Sequence, residues 1–330
     1  MLGSCFEYLL FALALPWILA TAVWRRLWKG PRHPDWSWPH GLMVEVMRRR
    51  SGRYARLSPT RARRSLPSAP AWQHRRHLTI EHRPVGGVPA EVMTPKKGWG
   101  GHLNLLYFHG GGYCVGSYGT HRDFVGRIAR TGRVRTFSLN YRLAPEHPFP
   151  AAIDDAEAAY EALLEEGVDT RHLTVGGDSA GGGLTLALLQ RLRDKGLPMP
   201  AQIILISPWV DMTLSGESIA TNGHLCYLSE ALLERFASWY CQPEERSDPL
   251  ASPLNADLRG FPPTLLLTGQ AEGFYSEDLA FGERARAAGL EVDVHVGAGM
   301  VHAWPALTTF LPEGRAAMTS ITEFVQNLRT

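Results

Sequence analysis

The fold is decided by residues 173–181, which read Leu-Thr-Val-Gly-Gly-Asp-Ser-Ala-Gly. The apolar run at 173–176 predicts a short strand, and an amphipathic helical pattern follows over 182–195. Between them lies Gly-x-Ser-x-Gly at 177–181, whose small residues permit a tight turn from strand to helix. Such a turn strains the serine backbone and lifts its Oγ above the sheet. Ser179 is therefore the predicted nucleophile.

Short apolar strands alternate with amphipathic helices from about residue 78 onward. A pair of antiparallel strands is predicted first, at 78–81 and 91–93 around Gly86 and Gly87. Further strands are predicted at 103–108, 136–140, 173–176, 203–206, 264–268 and 292–296, and helices at 151–166, 182–195, 229–240, 277–288 and 315–328. This alternation predicts an α/β protein with a mostly parallel central sheet flanked by helices. The chain of 330 residues, 45% of them hydrophobic, suffices for one such catalytic domain at 78–330.

A glycine-rich loop follows the strand predicted at 103–108. It reads His109-Gly110-Gly111-Gly112, and backbone N–H groups without side chains can closely approach an oxygen that gains negative charge. Gly111 and Gly112, with the N–H of Ala180 after the nucleophile, are the predicted oxyanion hole. His109 is interpreted as a residue that organises this loop.

A serine hydroxyl needs a base, and His302 has the most suitable context of the thirteen histidines. It lies in Gly-Met-Val-His-Ala at 299–303, just after the last predicted strand. The acid that orients it is expected between Ser179 and His302 in the chain. Glu272, in the turn after the strand at 264–268, is the predicted acid; Glu277 and Asp278 are competitors that also suit the first turn of the next helix.

Other chemistries lack a sequence signal. The four cysteines, Cys5, Cys114, Cys226 and Cys241, have neither zinc-ligand spacing nor a disulfide pattern, and buried free thiols are expected. Neither GxGxxG nor a P-loop is present. We therefore expect no metal and no organic cofactor.

The N-terminal segment, residues 1–77, differs from the rest. Residues 8–24 carry no charge, and seventeen residues lie at the lower limit for spanning a bilayer. A membrane anchor is the first interpretation, a cleaved signal peptide or a helix lying on the fold or on the membrane surface being the alternatives. The flank at 25–77 carries fourteen Lys or Arg against two acidic residues, which would keep it and the catalytic domain cytoplasmic.

The basic flank also permits other interpretations. It suits anionic lipid head groups, and a solvated, partly disordered linker over 51–72 is nearly as well supported. Nucleic-acid binding is not expected because the run contains no recognisable binding module.

Five motifs together carry a family resemblance. They are HGGGYCVGS at 109–117, YRLAPEHPFPAA at 141–152, GDSAGGGL at 177–184, SPWVDMT at 207–213 and GMVHAWP at 299–305. In combination they resemble the hormone-sensitive-lipase family of esterases, and most closely its acetyl-hydrolase and steryl acetyl hydrolase type, which includes membrane-anchored enzymes.

The resemblance implies an eight-stranded α/β-hydrolase core with a helical cap formed by N-terminal residues and an insertion at about 215–258. It implies a serine carboxylesterase, and it supports Gly111, Gly112 and Ala180 as oxyanion donors. One position departs from the pattern, since the family usually has Asp where this chain has Glu272.

The expected partner is a small ester with a short-to-medium acyl or acetyl group, and esters of lipophilic alcohols are included in this expectation. Its pocket is predicted from Tyr113, Trp209, Phe274 and Trp304, with core packing as the alternative role for these aromatic residues. An amidase or N-deacetylase with the same triad is the alternative function. A ligand receptor on this fold would lack a triad member, whereas Ser179 and His302 are both present. The sequence indicates no oligomeric state.

Overall fold

An eight-stranded sheet forms the centre of the protein, in a computed structural model that describes residues 2–329, with side chains described for 15–328. The strands are β1 (Leu78–Val85), β2 (Val88–Pro95), β3 (Asn104–Phe108), β4 (Arg135–Leu139), β5 (Leu173–Asp178), β6 (Gln202–Ile206), β7 (Thr264–Gly269) and β8 (Val292–Gly297). Their order is β1-β2-β4-β3-β5-β6-β7-β8. β2 is antiparallel to both β1 and β4, and the remaining neighbours are parallel.

Helices cover the sheet and extend beyond it. They are α1 (Leu2–Lys29), α2 (Trp38–Tyr54), α3 (Pro59–Ser65), α4 (Tyr118–Gly132), α5 (Ala151–Glu165), α6 (Ala180–Lys195), α7 (Glu217–Thr221), α8 (Glu230–Tyr240), α9 (Tyr275–Ala287), α10 (Trp304–Leu307) and α11 (Pro312–Gln326). Single 3-10 turns occur at Ala71–Gln73, Thr170–His172, Pro243–Glu245, Pro253–Asn255 and Asn327–Arg329. β3, β5, β6 and β7 are buried at every position, because helices pack on both faces of a parallel sheet.

Parallel strands place the predicted site residues at one edge of the sheet. β3, β5, β7 and β8 run in the same direction, so their carboxyl ends lie together. The glycine loop follows β3, Ser179 follows β5, Glu272 follows β7 and His302 follows β8. The predicted α/β architecture is therefore confirmed, and the topology converges on the residues singled out in the sequence.

One helix that covers the sheet, α4, is not predicted from the sequence. Its start is nonetheless encoded, because Ser117 and Thr120 form a capping box in which Ser117 Oγ accepts from Thr120 N at 3.2 Å. Thr120 Oγ1 in turn accepts from Ser117 N at 3.0 Å. Eight of its fifteen positions are glycine, threonine or arginine, so its apolar pattern is confined to the short stretch from Phe124 to Ala129.

The basic flank is folded, which corrects its interpretation as a partly disordered linker. α2 and α3 lie within it, and each begins at a serine cap, Ser37 and Ser58, followed by a proline in the first turn. Arg63 on α3 donates to the carbonyls of Cys114 at 2.7 Å and Ala144 at 2.6 Å, and forms an ion pair with Glu146. The arginines of this flank thus hold the N-terminal helices to the catalytic domain.

Residues 8–24, the predicted membrane segment, belong to α1. Their first seven, 8–14, fall outside the residues with described side chains. Within the described part of the chain, no helix is both long and apolar enough to cross a membrane.

Two segments from distant parts of the sequence cover the carboxyl edge of the sheet. α2 contacts α8, which comes from the connection between β6 and β7. Both helices contribute side chains to one cavity above the strand ends, described below.

Candidate active site

Ser179 occupies a strained turn between β5 and α6. Its φ of 54° and ψ of −122° are unfavourable for a residue with a side chain. The turn fits only because its neighbours are small: a Cβ at Gly177 or at Gly181 would overlap the carbonyl oxygen of Phe108. Ser179 and His302 both line the same cavity.

His302 and Glu272 form the pair expected behind the nucleophile. His302 Nδ1 lies 3.1 Å from Glu272 Oε2, and both residues are buried. An ionised carboxylate only accepts hydrogen bonds, so Nδ1 carries the proton and Nε2 is left free to take one from a serine. The edge of the Phe274 ring meets the imidazole at a centroid distance of 5.2 Å, and Tyr227 donates to the carbonyl of His302 at 3.1 Å.

The Glu272 carboxylate is held in its ionised form. Its Oε1 accepts from the Gly269 N–H at 2.9 Å and from the Thr268 hydroxyl at 2.6 Å. Burial by itself would raise the pKa of Glu272, but the hydrogen bond and charge of His302, with these two donors, lower it below the ordinary value. Glu277 and Asp278, the competitors in the sequence, begin α9 and do not contact the imidazole.

The glycine loop presents free N–H groups to the cavity. Gly111 and Gly112 have φ of 124° and 59°, and a Cβ would overlap Val115 at the first and Phe236 at the second. Within the described residues, neither N–H has a hydrogen-bond acceptor. Ala180 is the first residue of α6, where the N–H groups have no intrahelical acceptor. These donors meet the requirement for stabilising an oxyanion.

A buried polar network beneath Ser179 fixes the glycine loop, and sequence reasoning missed it. Asp178 Oδ1 accepts from the Tyr107 hydroxyl at 2.7 Å and from Gly110 N at 3.1 Å, while Oδ2 lies 3.3 Å from His121 Nε2. Burial would raise the pKa of Asp178, but His121 and the Tyr107 hydroxyl lower it to about 2. The only signal was the position of Asp178 inside the serine motif.

His109 organises the loop from a neutral state. Its Nδ1 lies 2.7 Å from the carbonyl oxygen of Gly110, and its ring stacks on Tyr141 at 4.4 Å. Burial, with the nearby His121, lowers the pKa of His109 to about 3. The ring therefore adds no charge beside the oxyanion donors.

The cavity above these groups has a volume of about 350 Å³ and is mostly apolar. Besides the catalytic groups, its apolar wall consists of Met47, Tyr54, Leu66, Pro67, Val115, Trp209, Tyr227, Leu228, Leu232, Leu233, Phe236, Ala303, Ala306 and Leu307. Residues of α2 and α8 therefore form much of the enclosure, and neither helix was used to predict the pocket.

Of the four predicted pocket residues, Trp209 alone lines this cavity. Tyr113 stacks on Tyr240 at 3.8 Å, and Phe274 stacks on Trp209 at 5.6 Å, one layer behind the wall. Trp304 packs in the core on the other face of the sheet. These three aromatic side chains pack in the core around the site. The cavity surface predicted for them is formed instead by side chains that include those of α2 and α8.

Neither a metal cluster nor a disulfide is found in the described part of the chain. No group of three or more His, Cys, Asp or Glu there has an arrangement that could hold a metal ion. Cys114, Cys226 and Cys241 are free and buried, whereas the side chain of Cys5 lies outside the described residues.

Comparisons with known proteins agree with this geometry. A family model described as alpha/beta hydrolase fold matches residues 105–306. The chain is similar to an acetyl-hydrolase of Streptomyces hygroscopicus, with 40% identity over 71% of this chain and 78% of that protein. It is also similar to an esterase of Acinetobacter venetianus, with 35% identity over 76% of this chain and 83% of that protein.

Among solved structures, one of an esterase from the bacterial hormone-sensitive lipase family superposes with a TM-score of 0.80 and 38% identity. The match covers 87% of this chain and 97% of that one. The chain belongs to the hormone-sensitive lipase family of α/β-hydrolases. As a member of the hormone-sensitive lipase family it is a carboxylic ester hydrolase.

Proposed function

We propose that the chain is a serine carboxylesterase whose triad is Ser179, His302 and Glu272. The observation that carries this proposal is the pairing of a strained serine with a carboxylate-bound histidine in one cavity. Packing explains neither the strained backbone of Ser179 nor the orientation of the imidazole that lines the same cavity, whereas nucleophilic catalysis uses a serine and a base held together.

The reaction proceeds in two halves. Ser179 Oγ forms a bond to the ester carbonyl carbon as its proton passes to His302 Nε2, and Glu272 stabilises the imidazolium. The carbonyl oxygen becomes an oxyanion that accepts hydrogen bonds from Gly111, Gly112 and Ala180.

The alcohol is released next. The C–O bond to it breaks as His302 returns the proton to the leaving oxygen, which leaves an acyl-enzyme on Ser179. Water then attacks the acyl carbon, giving its proton to His302, and the carboxylic acid departs as Ser179 regains that proton.

The cavity favours short-to-medium acyl or acetyl esters. A volume of about 350 Å³ lies at the small end of ligand pockets, which limits the acyl chain that it can enclose. Its apolar wall favours a lipophilic acyl or alcohol group over a charged one.

The test is hydrolysis of p-nitrophenyl acetate, butyrate, octanoate and palmitate, with p-nitroacetanilide as the matched amide. The expected result is highest kcat/KM on acetate or butyrate, a steep fall by palmitate and little amide cleavage. Faster cleavage of the amide than of the acetate ester would contradict the proposal and favour the amidase alternative.

We also propose that α1 binds a membrane surface. Trp17, Trp24 and Trp28 are 61%, 59% and 76% exposed, and their spacing of seven and four residues places them on one face of the helix. Ile18 and Ala22 on another face are buried. Tryptophan favours the level of the lipid head groups, and the basic residues beside the stripe attract anionic lipid.

Sedimentation with vesicles of phosphatidylcholine, with and without phosphatidylserine, tests this second proposal on the full chain. Binding is expected to require phosphatidylserine and to fall in Trp24→Ala/Trp28→Ala. Trp72→Ala is the matched control, since Trp72 is 71% exposed and lies in the 3-10 turn at Ala71–Gln73, outside α1. Equal binding by all three proteins, or none by the wild type, would contradict the proposal.

A further inference from the structure

A second carboxyl group lies directly behind the proposed catalytic acid. Asp278 is in the first turn of α9 and is completely buried, with its Oδ2 2.7 Å from Thr268 Oγ1. The same hydroxyl oxygen lies 2.6 Å from Glu272 Oε1. Asp278 Oδ1 is buried and has no hydrogen-bond partner among the described residues. Two carboxyl groups thus meet at one buried hydroxyl.

The number of hydrogens on Thr268 limits how many of the two carboxyl groups can be ionised. A threonine hydroxyl has one hydrogen to donate, and an ionised carboxylate has none. If both carboxyl groups were ionised, one of them would face an oxygen lone pair of Thr268 with no hydrogen between them. Among fully buried groups that arrangement is repulsive, so one carboxyl must carry a proton and donate it to Thr268.

The surroundings decide which carboxyl carries the proton. Glu272 accepts from Gly269 N and faces the protonated Nδ1 of His302, and both contacts favour its ionised form. Asp278 receives no such donor at Oδ1, which favours its neutral form. The neutral carboxyl is therefore that of Asp278.

We propose that Asp278 is a positioning residue of the triad, whose protonated carboxyl donates to Thr268 so that Thr268 donates to Glu272. The inference rests on the proposed triad and extends it to a chain of four groups from Asp278 through Thr268 and Glu272 to His302. Its role is to orient Thr268 and Glu272 while a single negative charge faces the imidazole.

The electrostatics of the cluster agree with this assignment. Burial, and next the charge of Glu272, raise the pKa of Asp278 well above its usual range. The pKa of the neighbouring Glu277 is shifted in the same direction, since burial and then the charge of Asp211 raise it to about 8. The titratable groups around the pair of Glu272 and Asp278 are His302, Glu277, Asp211, Cys226 and Tyr227.

Two substitutions at Asp278 separate positioning from mere packing. Asp278→Asn keeps a neutral donor of the same shape, whereas Asp278→Ala removes the donor. Asp278→Ala is expected to lower kcat about tenfold with little change in KM, which is the scale typical of partners that orient a functional side chain. Asp278→Asn is expected to retain most of the wild-type kcat. The acidic limb of the profile of kcat/KM against pH should be the same in Asp278→Asn and in the wild type.

Glu277→Gln is the matched control. Glu277 is a buried carboxyl on the same turn of α9, but it accepts from Gly216 N and does not touch Thr268. Glu277→Gln is expected to leave the acidic limb of the kcat/KM profile unchanged. Should Asp278→Ala fail to fold, Thr268→Val and Thr268→Ser provide the same comparison, the first without and the second with the hydroxyl.

Two results would overturn the inference. An acidic limb displaced to lower pH in Asp278→Asn would show that a negative charge had been removed, so that Asp278 is ionised in the wild type. Wild-type kcat in Asp278→Ala, or in Thr268→Val, would show that the chain does not position Glu272. Failure of the triad itself would show separately, as ester hydrolysis that survives Ser179→Ala.

Discussion

At the scale of single residues, the side-chain length of Glu272, the proposed acid, matters. Glu272 reaches His302 Nδ1 while its other oxygen is fixed by Gly269 and Thr268, so the turn after β7 is shaped around a glutamate. The same turn leaves Asp278 out of contact with the imidazole. The carboxylate that holds His302 is thus defined by geometry rather than by chain order.

Glu272→Gln should test this assignment most sharply at the residue scale. The amide keeps the shape but presents an N–H to Nδ1 and so favours the wrong tautomer of His302. We expect kcat to fall on the order of 10³-fold with little change in KM. Glu272→Asp, which keeps the charge at shorter reach, should lose less, and near-normal kcat in Glu272→Gln would exclude this residue as the acid.

Asp178 makes the stability of the folded protein depend on pH. Its pKa of about 2 in the folded state lies below the unfolded value, so its stabilisation is complete above about pH 5 and is lost as pH falls toward 2. Burial would lower the pKa of the partner His121, but the charge and hydrogen bond of Asp178 raise it above the ordinary value. The contribution of His121 to stability is therefore lost as pH rises through its folded-state pKa.

Asp178→Asn is therefore expected to lower the free energy of unfolding by about 2 kcal/mol near pH 5.5, and by less at about pH 3. Urea unfolding at the two pH values measures this difference. Asp169→Asn is the control, since Asp169 pairs with Arg171 at the surface and solvent screens the interaction. An equal loss at both pH values would contradict the account.

At the scale of elements, Arg63 attaches α3 to the loops of the catalytic domain. The guanidinium of Arg63 bonds two carbonyls and Glu146 across more than fifty residues of sequence. Arg63→Met keeps the aliphatic stem but leaves these carbonyls without their donor, and should lower stability by about 1–3 kcal/mol. Thermal unfolding against Arg64→Met, an exposed neighbour on the same helix, measures the effect; equal melting temperatures would contradict it.

The contrast between elements explains what the sequence could predict. β5, β7 and the serine motif carry local signals, namely apolar runs and obligatory small residues, and the structure confirms the elements there. α2 and α3 are polar helices attached through arginine hydrogen bonds to distant carbonyls, for which no local period exists. The cap was expected from the resemblance and α8 from its local pattern, but the side chains of the cavity wall were missed because α2 and α8 meet only in the folded chain.

At the residue level the same limit applies to Thr268 and Asp278. Each has an ordinary local interpretation, as the end of a strand and as an acidic residue in the first turn of a helix. Their shared contact with Glu272 depends on how α9 packs against β7. The sequence therefore indicated Ser179, His302 and Glu272, which the structure brings to one edge of the sheet, but not the groups packed behind Glu272.

At the scale of the whole molecule, the site is assembled from both ends of the chain. The core strands place Ser179, His302 and Glu272 at one edge, while α2 and α8 enclose the cavity above them. α1 lies on the same N-terminal unit as α2 and contacts it. The helix that we propose binds a membrane surface is thus adjacent to a helix that encloses the cavity, an arrangement that fits the proposed hydrolysis of lipophilic esters.

The central claim is that Ser179 is the nucleophile, and the most direct measurement is hydrolysis of p-nitrophenyl butyrate by the wild type and by Ser179→Ala, with folding checked by circular dichroism. The account predicts that the folded variant loses activity by a factor on the order of 10⁴ or more. Hydrolysis at the wild-type rate by folded Ser179→Ala would contradict it.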